Sequence, residues 1–337
     1  MIKLKNTYSI GVMVMFYEIE MFKEYIDSCI QVVKDIENKN NLNFHFCWNI
    51  SQYFEEVDVN KISMDEINEK FKNQVKRLKD TGVSNIYIDE KNDTHDVYNI
   101  AGYRRDFNYN WCDKVDFVLW GETDSLWPKE TLSIIESISE YSKSNGVNRF
   151  VLTFAYRKMW DSGWKELEHV DMTDLPFVDT EEWNLNAPES PKSYMTLETM
   201  NEINDRYDEL DIRILKEPKF DGSCLVISSD LIKAGVNIPH ALLCSGEDTS
   251  FADMAKLICG DTFVQYAVKN VLRVHNRRHP QKRLYIKNED NPMGFCDNRK
   301  GEWWKILCNI SKMNLAKLKN NQDKFFTFKD VFREINK

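Results

Sequence analysis

Short apolar runs alternate with amphipathic segments over the first half of the chain. Residues 10–16 are rich in β-branched residues and methionine, which predicts a strand, and residues 21–36 repeat apolar side chains at helical spacing. The predicted strands are residues 10–16, 42–48, 85–89, 115–120 and 149–154. The predicted helices are residues 21–36, 64–79, 97–107 and 130–141. This alternation predicts an α/β fold with a mostly parallel sheet flanked by helices.

The pattern loosens over residues 155–220, a stretch with several acidic residues, with Pro176, Pro188 and Pro191, and with Trp160, Trp164 and Trp183. We interpret it as an insertion, which is either a solvated, partly helical excursion or a lid that faces the substrate. Regular structure then resumes. The predicted elements are strands at residues 223–228, 263–266 and 271–275, a short helix from Asp230, a helix at residues 247–259 and a C-terminal helix that includes Trp303, Trp304, Ile306 and Leu307.

Composition narrows the class of protein. The 337 residues are enough for a large core, and the net charge of -9 excludes a surface that is basic all over. The eight cysteines include no CxxC pair and no zinc-like spacing, so they predict buried thiols in a reducing compartment. No apolar run approaches the roughly 18 residues that a membrane span needs, and the early run from Ser9 to Tyr17 predicts a strand rather than a signal peptide. The expectation is a soluble cytoplasmic protein.

Two carboxylates, Glu122 and Asp124, follow the apolar run of residues 117–121. Because side chains alternate in an extended segment, both can point to one side and converge on a hard divalent cation. They also lie at the carboxyl end of a predicted strand, where α/β sheets bind their ligands. The alternative is a polar turn after a buried strand.

The order of motifs resembles that of the GT-A glycosyltransferases, most closely the family-2 type. The matching segments are a first strand and helix at residues 9–33, FVLWGETDSLWP at 117–128, DGSCLVI at 221–227, GEDTSF at 246–251 and VLRVH at 271–275. The resemblance covers roughly residues 8–280. It implies a GT-A fold that moves a sugar from a nucleotide-sugar to an acceptor hydroxyl, with inversion at the anomeric carbon.

The resemblance also implies a division of the chain. Residues 1–280 would be the catalytic domain, and residues 281–337 a basic and helical extension. Within the catalytic domain, residues 1–125 would bind the nucleotide-sugar, and residues 126–280, with the insertion, would bind the acceptor.

The resemblance implies a metal site as well. Asp124 would be the principal ligand, Glu122 a direct or water-mediated one, and His275 would complete the shell. The bound ion would neutralise the charge that grows on the departing pyrophosphate. A mixed carboxylate and imidazole set favours Mn²⁺, with Mg²⁺ as the alternative. Glu122 departs from the commoner Asp of the family, and for His275 the alternative is a strand-end histidine bonded to backbone.

The candidate general base is Asp248, because an attacking hydroxyl must lose its proton to a carboxylate within hydrogen-bond reach. Glu247 would orient the acceptor or support the base. The alternative is an ordinary place in the first turn of a helix, where the helix dipole favours negative charge.

Donor contacts are predicted from three places in the sequence. Phe16, Tyr17 and Glu18 end the first strand and are candidates to hold the base and ribose. Asn49 takes the place of the acidic residue that the family often carries there, and it can accept from a uracil N–H, which favours a UDP-sugar.

Basic residues supply the remaining donor contacts. Arg104 or Arg105 can meet a phosphate, or else pair with Asp106 or Asp113. A basic segment lies beside His275 and consists of Arg273, Arg277, Arg278, Lys282, Arg283 and Lys287. Three interpretations of this segment are open. It is a loop over the pyrophosphate, which Arg277 and Arg278 contact, or a surface that binds a polyanionic acceptor, or a solvated basic face.

The acceptor stays open at this point. A cell-surface or free glycan ranks first, and a hydroxymethylated base in DNA ranks second because of the basic segment. A nucleotidyltransferase is a further alternative, although the chain lacks a glycine-rich loop after the first strand, where Gly11 is the only glycine. A binding module without catalysis is the last.

Overall fold

The computed structural model describes residues 1–50, 58–92, 98–160, 163–166, 195–206, 208–215, 218, 220–244, 246–276, 279–285 and 302–335. The strands are β1 (Tyr8–Met15), β2 (Leu42–Asn49), β3 (Asn85–Lys91), β4 (Phe117–Glu122), β5 (Ser125–Leu126), β6 (Phe150–Trp160), β7 (Gly163–Glu166), β8 (Ile212–Leu215), β9 (Leu225–Ser228) and β10 (Val264–His275). The helices are α1 (Ile19–Lys34), α2 (Met64–Lys79), α3 (Ile100–Trp111), α4 (Thr131–Ser144), α5 (Leu197–Asn204), α6 (Ser229–Lys233), α7 (Glu247–Cys259), α8 (Glu302–Lys319) and α9 (Phe328–Ile335).

One sheet organises these elements, in the order β3-β2-β1-β4-β9-β6-β10-β5, with β7 on β6 and β8 on β10. Strands β1 to β4 are parallel, as are β6 and β10, while β9 runs antiparallel between β4 and β6. The prediction of a mostly parallel α/β sheet flanked by helices, a Rossmann-like fold of the GT-A kind, is confirmed.

Alternate residues of the central strands feed two cores, one on each face of the sheet. In β4, Phe117 and Leu119 pack in the core that contains α1 and α4 residues, whereas Val118 and Trp120 pack in the core that contains α3 and α7 residues. A strand buried on both faces has no polar side, which explains the continuous apolar run. The polar residues that follow mark the point where the strand leaves the core.

Two sequence predictions are corrected in the second half of the chain. Residues 263–275 hold one strand, β10, rather than two, because it keeps its pairing with β6 on both sides of an irregularity between Val268 and Leu272. The regular pattern also does not end at residue 155, since β6 continues to Trp160 and pairs with β7.

The described parts of the predicted insertion belong to the body of the fold. Leu197, Met200 and Ile203 of α5, with Met195 just before it, pack against residues of β5, β6 and β10, and β8 pairs with β10. Residues 167–194, with Trp183, lie outside the described residues. The choice between an excursion and a lid therefore stays a prediction, as does the division into halves.

The predicted packing of Ile306 and Leu307 on a C-terminal helix is confirmed, whereas the side chains of Trp303 and Trp304 lie outside the part that the structure describes. Leu307 and Ile310 of α8 and Val331 of α9 form a small core with Cys244, and Ile306 packs against it. Seven cysteines lie in the described residues, all are free thiols, and six of them are buried. Within the part of the chain that the structure describes, no helix is both long and apolar enough to cross a membrane.

Gly11 provides a test of the packing between β1 and α3. A Cβ atom there would overlap the ring of Phe107 and lie 2.5 Å from the hydroxyl of Tyr103. Both side chains are buried, so we expect Gly11→Ala to lower the free energy of unfolding by about 1–3 kcal/mol, as overpacking does. Urea denaturation measures the change. Gly102→Ala is the matched control, because its Cβ would meet Tyr98 at an ordinary 3.5 Å. Equal stability of Gly11→Ala and the wild type would contradict this packing.

Candidate active site

The ends of three strands and the start of one helix meet at one edge of the sheet. Strand β4 ends at Glu122, a two-residue gap leads to β5, and β10 ends at His275. Strand β5, which consists of Ser125 and Leu126, pairs antiparallel with Val274 and His275 at the end of β10. This pairing places His275 beside Asp124, whose carbonyl accepts from the backbone N–H of Asn276 at 2.6 Å.

The metal corner consists of Glu122, Asp124 and His275. The Nε2 atom of His275 lies 3.1 Å from Oε2 of Glu122 and 3.3 Å from Oδ2 of Asp124. One ligand atom from each residue lies within 4.8 Å of the other two, so the three can hold one metal ion. The sequence predicted this set, and its mixed carboxylate and imidazole chemistry fits a divalent ion such as Mn²⁺. Nε2 faces carboxylates rather than the backbone acceptor of the alternative interpretation.

Charge at the metal corner is balanced from two sides. Burial alone raises the pKa of Glu122, but the attraction of Arg104, then of His275, outweighs it and lowers that pKa to about 2. For Asp124 burial is again opposed, first by Lys282 and then by His275, and the pKa lies well below its usual range. Both carboxylates are therefore ionised at neutral pH, as metal ligands must be.

Arg104 connects the metal corner to the start of α7. Its guanidinium is buried and donates to Glu122 at 2.6 Å, to Glu247 at 2.5 Å and to the carbonyl of Gly222 at 2.6 Å. It also lies over the ring of Trp120, 4.9 Å from the centroid. These contacts correct the predicted pairing with Asp106 or Asp113. They also speak against a phosphate contact, since the guanidinium already has protein acceptors.

The sequence does contain a signal for this role. Ala101, Arg104, Asn108 and Trp111 recur at helical spacing, and all four are buried on α3. An arginine in such a row needs carboxylate partners. The partners are distant in sequence, so the row alone does not identify them.

Arg105 serves the neighbouring loop instead of a ligand. It donates to the carbonyls of Ile238, Pro239 and Leu242 at 3.0 to 3.1 Å, and it lies 3.3 Å from a ring nitrogen of His240. Because these carbonyls already accept from its guanidinium, the structure speaks against the predicted phosphate contact of Arg105. Arg105 also forms no ion pair within 4 Å with Asp106 or Asp113.

The two acidic residues of the GEDTSF segment open α7, which begins at Glu247 after Gly246 in the left-handed region at φ 86°. Burial raises the pKa of Glu247 to about 7 against the attraction of Arg104, aided by the negative charges of Asp248 and Glu122. Burial, followed by Asp221, raises the pKa of Asp248. Both pKa values therefore move in the direction opposite to the one that the helix dipole alone gives a first-turn carboxylate.

Asp248 keeps the features of a candidate base. Its carboxylate accepts from the backbone N–H of Gly222 at 3.2 Å and of Thr249 at 2.6 Å. Among the described residues it forms no ion pair within 4 Å. A carboxylate with a raised pKa and neutral partners is a better proton acceptor than a salt-bridged one.

Three of the predicted donor contacts are buried. Phe16 and Tyr17 pack edge to face in the core, with ring centroids 5.3 Å apart. Asn49 is fully buried, and its amide donates to the carbonyl of Tyr98 at 2.8 Å. These positions speak against direct contacts with a base. Glu18 differs, since it accepts from the hydroxyl of Thr123 at 2.5 Å, next to the metal corner.

The basic segment is not one continuous surface. Arg273 is buried and pairs with Asp221 at 2.8 Å, an ion pair that the sequence pattern did not predict. Lys282 reaches the metal corner, where its ammonium lies 2.5 Å from Asp124. Arg277, Arg278 and Lys287 lie outside the described residues, so their predicted phosphate contacts stay predictions.

Comparison with known proteins gives likenesses to solved structures of low sequence identity. No family model and no curated protein sequence matches the chain. Among solved structures, it is similar to M. tuberculosis glucosyl-3-phosphoglycerate synthase, at 10% identity and a TM-score of 0.41, over 95% of this chain and 83% of the other. It is also similar to a structure described as a mycobacterial protein, at 11% identity and a TM-score of 0.40, over 83% and 72% of the two chains. Both TM-scores are too low to support a conclusion about family or activity.

Proposed function

We propose that this chain is a metal-dependent glycosyltransferase that moves a sugar from a nucleotide-sugar to an acceptor hydroxyl. The observation that carries the proposal is the convergence of Glu122, Asp124 and His275 at the carboxyl end of the sheet. A second carboxylate pair, Glu247 and Asp248, joins this corner through Arg104. The motif resemblance in the sequence supports inversion at the anomeric carbon, and a UDP-sugar is the donor to be tested first.

Each part of the site has a proposed role. A bound Mn²⁺ or Mg²⁺ would offset the charge that grows on the leaving diphosphate. Asp124 and His275 hold the ion, and Glu122, which also binds Arg104, is a direct or water-mediated ligand. Asp248 takes the proton of the acceptor hydroxyl as that oxygen attacks the anomeric carbon.

Glu247 and Arg104 position this machinery rather than react. Arg104 fixes Glu122 and Glu247 at the same time, which sets the spacing between the metal corner and the base. Glu247, at the head of α7, supports Asp248 in the next position. Glu18 is the proposed donor contact beside the metal corner, since it accepts a hydrogen bond from Thr123, which lies between Glu122 and Asp124 in the sequence.

A glycan is the favoured acceptor. The DNA alternative depends on the basic segment, but Arg273 and Lys282 of that segment form ion pairs with carboxylates of the site, Asp221 and Asp124. No observation on the described residues favours DNA, a nucleotidyl transfer or a binding role without catalysis.

Asp124→Asn tests the metal corner. We expect calorimetry with a UDP-sugar and Mn²⁺ to show donor binding by the wild type and at least about 10- to 100-fold weaker binding by the variant, because the principal ligand has lost its charge. Asp113→Asn, an exposed position away from the site, is the control and should bind like the wild type. Undiminished metal-dependent binding by Asp124→Asn would contradict the ligand assignment.

A further inference from the structure

Lys282 places a protein cation directly at the metal corner. Its Nζ atom lies 2.5 Å from Oδ2 of Asp124 and 3.6 Å from Oε1 of Glu18. The same Oδ2 atom faces Nε2 of His275 at 3.3 Å. One carboxylate oxygen is thus the contact point both for the ammonium group and for the imidazole that completes the proposed ligand set.

We propose that Lys282 is a built-in competitor of the metal, whose ammonium group neutralises Asp124 in the metal-free protein and leaves when a divalent cation binds. The inference rests on the proposed metal role of the corner. It assigns to Lys282 a function that the predicted loop over the pyrophosphate does not include, namely control of metal affinity.

The two cations compete for this oxygen. A divalent ion bound by a carboxylate lies about 2.0–2.6 Å from the ligand oxygen, and the ammonium of Lys282 already lies 2.5 Å from Oδ2 of Asp124. Two positive charges that contact one carboxylate oxygen also repel each other strongly in a buried site. Only 3% of the Asp124 side chain is exposed, so water screens the repulsion little.

The backbone holds Lys282 in place by an anchored turn. The N–H of His279 donates to the carbonyl of Asn276 at 2.9 Å, and the N–H of Lys282 donates to the carbonyl of His279 at 2.9 Å. Asn276 is itself bonded to the carbonyl of Asp124. On the other side, the buried Tyr285 donates its hydroxyl to a carboxylate of α1 at 2.5 Å. The lysine therefore reaches the corner from a turn that is fixed on both sides.

The side chain itself can move while the turn stays. Lysine carries its charge on a flexible stem of four carbons, so the ammonium can leave Asp124 without a change of the backbone. The exchange would link metal and donor binding, because metal binding releases a positive charge next to the place where the diphosphate is proposed to lie. Such a linkage is reciprocal, so the donor should also favour the metal-bound form.

Binding of Mn²⁺ alone to the full chain tests the inference. Electron paramagnetic resonance of free Mn²⁺ gives the dissociation constant for the wild type, Lys282→Met and Lys76→Met. We expect Lys282→Met to bind Mn²⁺ about tenfold more tightly or better, because the competitor is gone. Lys76→Met is the matched control, since Lys76 pairs with Asp80 at 2.6 Å and not with Asp124. It should stay within about twofold of the wild type.

The double variant Lys282→Met with Asp124→Asn assigns the effect to this corner, because the gain should vanish without the carboxylate. Unchanged or weaker Mn²⁺ binding by Lys282→Met would overturn the inference, and if Asp124→Asn still removed wild-type binding, the metal site itself would survive. Tighter binding by Lys282→Met in a protein that consumes no nucleotide-sugar would support the inference and count against the proposed function. Absence of Mn²⁺ binding in every variant would contradict both.

Discussion

Asp248→Asn will retain nucleotide-sugar binding and lose transfer, by about 10²- to 10⁴-fold, the usual contribution of a general base. The loss follows from the place of Asp248 on α7, where its carboxylate is partly buried, accepts from two backbone N–H groups and has its pKa raised by burial and by Asp221. Asparagine preserves the shape and cannot take the proton. Initial rates of transfer and calorimetric donor affinity, measured on one preparation, separate the two effects.

Asp253→Asn is the matched control for this prediction. Asp253 lies on the same helix, its side chain is 55% exposed, and it faces Lys319 at 3.9 Å, so its loss should leave transfer unchanged. The raised pKa of Asp248 adds a pH signature, because a base works only when it is deprotonated. Transfer by the wild type should therefore fall on the acid side at a pH above the range of an ordinary aspartate. Undiminished transfer by Asp248→Asn would remove this residue as the base.

Arg104→Met is expected to destabilise the protein by about 3–5 kcal/mol, the cost of breaking a buried ion pair from one side. The variant leaves Glu122 and Glu247 without their shared cation, and the side chains of these residues are only 22% and 12% exposed. It also leaves the carbonyl of Gly222 without its donor. Urea denaturation at neutral pH measures the loss.

The deficit of Arg104→Met should depend on pH in a defined direction. Glu122 has a lowered pKa in the folded wild type, so its interaction with Arg104 stabilises the fold above the ordinary glutamate pKa of 4.5 and is lost as the pH falls toward about 2. The difference between wild type and variant should therefore shrink as the pH falls through that window. Glu247 contributes in the same direction, because Arg104 attracts only the ionised carboxylate, and the raised pKa of about 7 means that this attraction is lost as the pH falls below 7.

Arg77→Met is the control for the loss of an arginine. Arg77 pairs with Asp27 at 2.5 Å, but its side chain is 40% exposed, so the pair should be worth no more than about 1 kcal/mol. A loss of similar size in Arg104→Met would contradict the account of Arg104 as the buried link between the two acidic pairs.

Local signals in the sequence were sufficient for much of the fold. Helix α2 begins where Ser63 accepts from the backbone N–H of Glu66, and the serine and glutamate three residues apart are visible in the sequence. The metal corner was predictable because Glu122 and Asp124 follow a buried strand and lie on one side of it. The position of His275 followed from the motif resemblance, and the structure brings it to the same place.

Contacts between distant residues were not predictable in the same way. Arg104 and Glu247 are 143 positions apart, and no local pattern pairs them. Lys269 and Asn270 lie in the gap between the two strands predicted at residues 263–266 and 271–275. In the structure they fall within the irregularity of β10, where residues 269–271 have no partner on β6 and the chain stays in the sheet. In the sequence, Lys282 is one of the six basic residues of the basic segment, and nothing there distinguishes it from the others. The anchored turn brings its ammonium to Asp124 in the structure.

Nucleotide release by the wild-type protein from UDP-, GDP- and CDP-sugars with Mn²⁺, measured with and without candidate acceptors, tests whether the protein is a metal-dependent glycosyltransferase. We expect metal-dependent release of nucleotide from at least one donor, UDP-sugars first, and faster release when a suitable acceptor hydroxyl is present. Failure of every donor to bind or to be consumed in the presence of metal would contradict the proposed function.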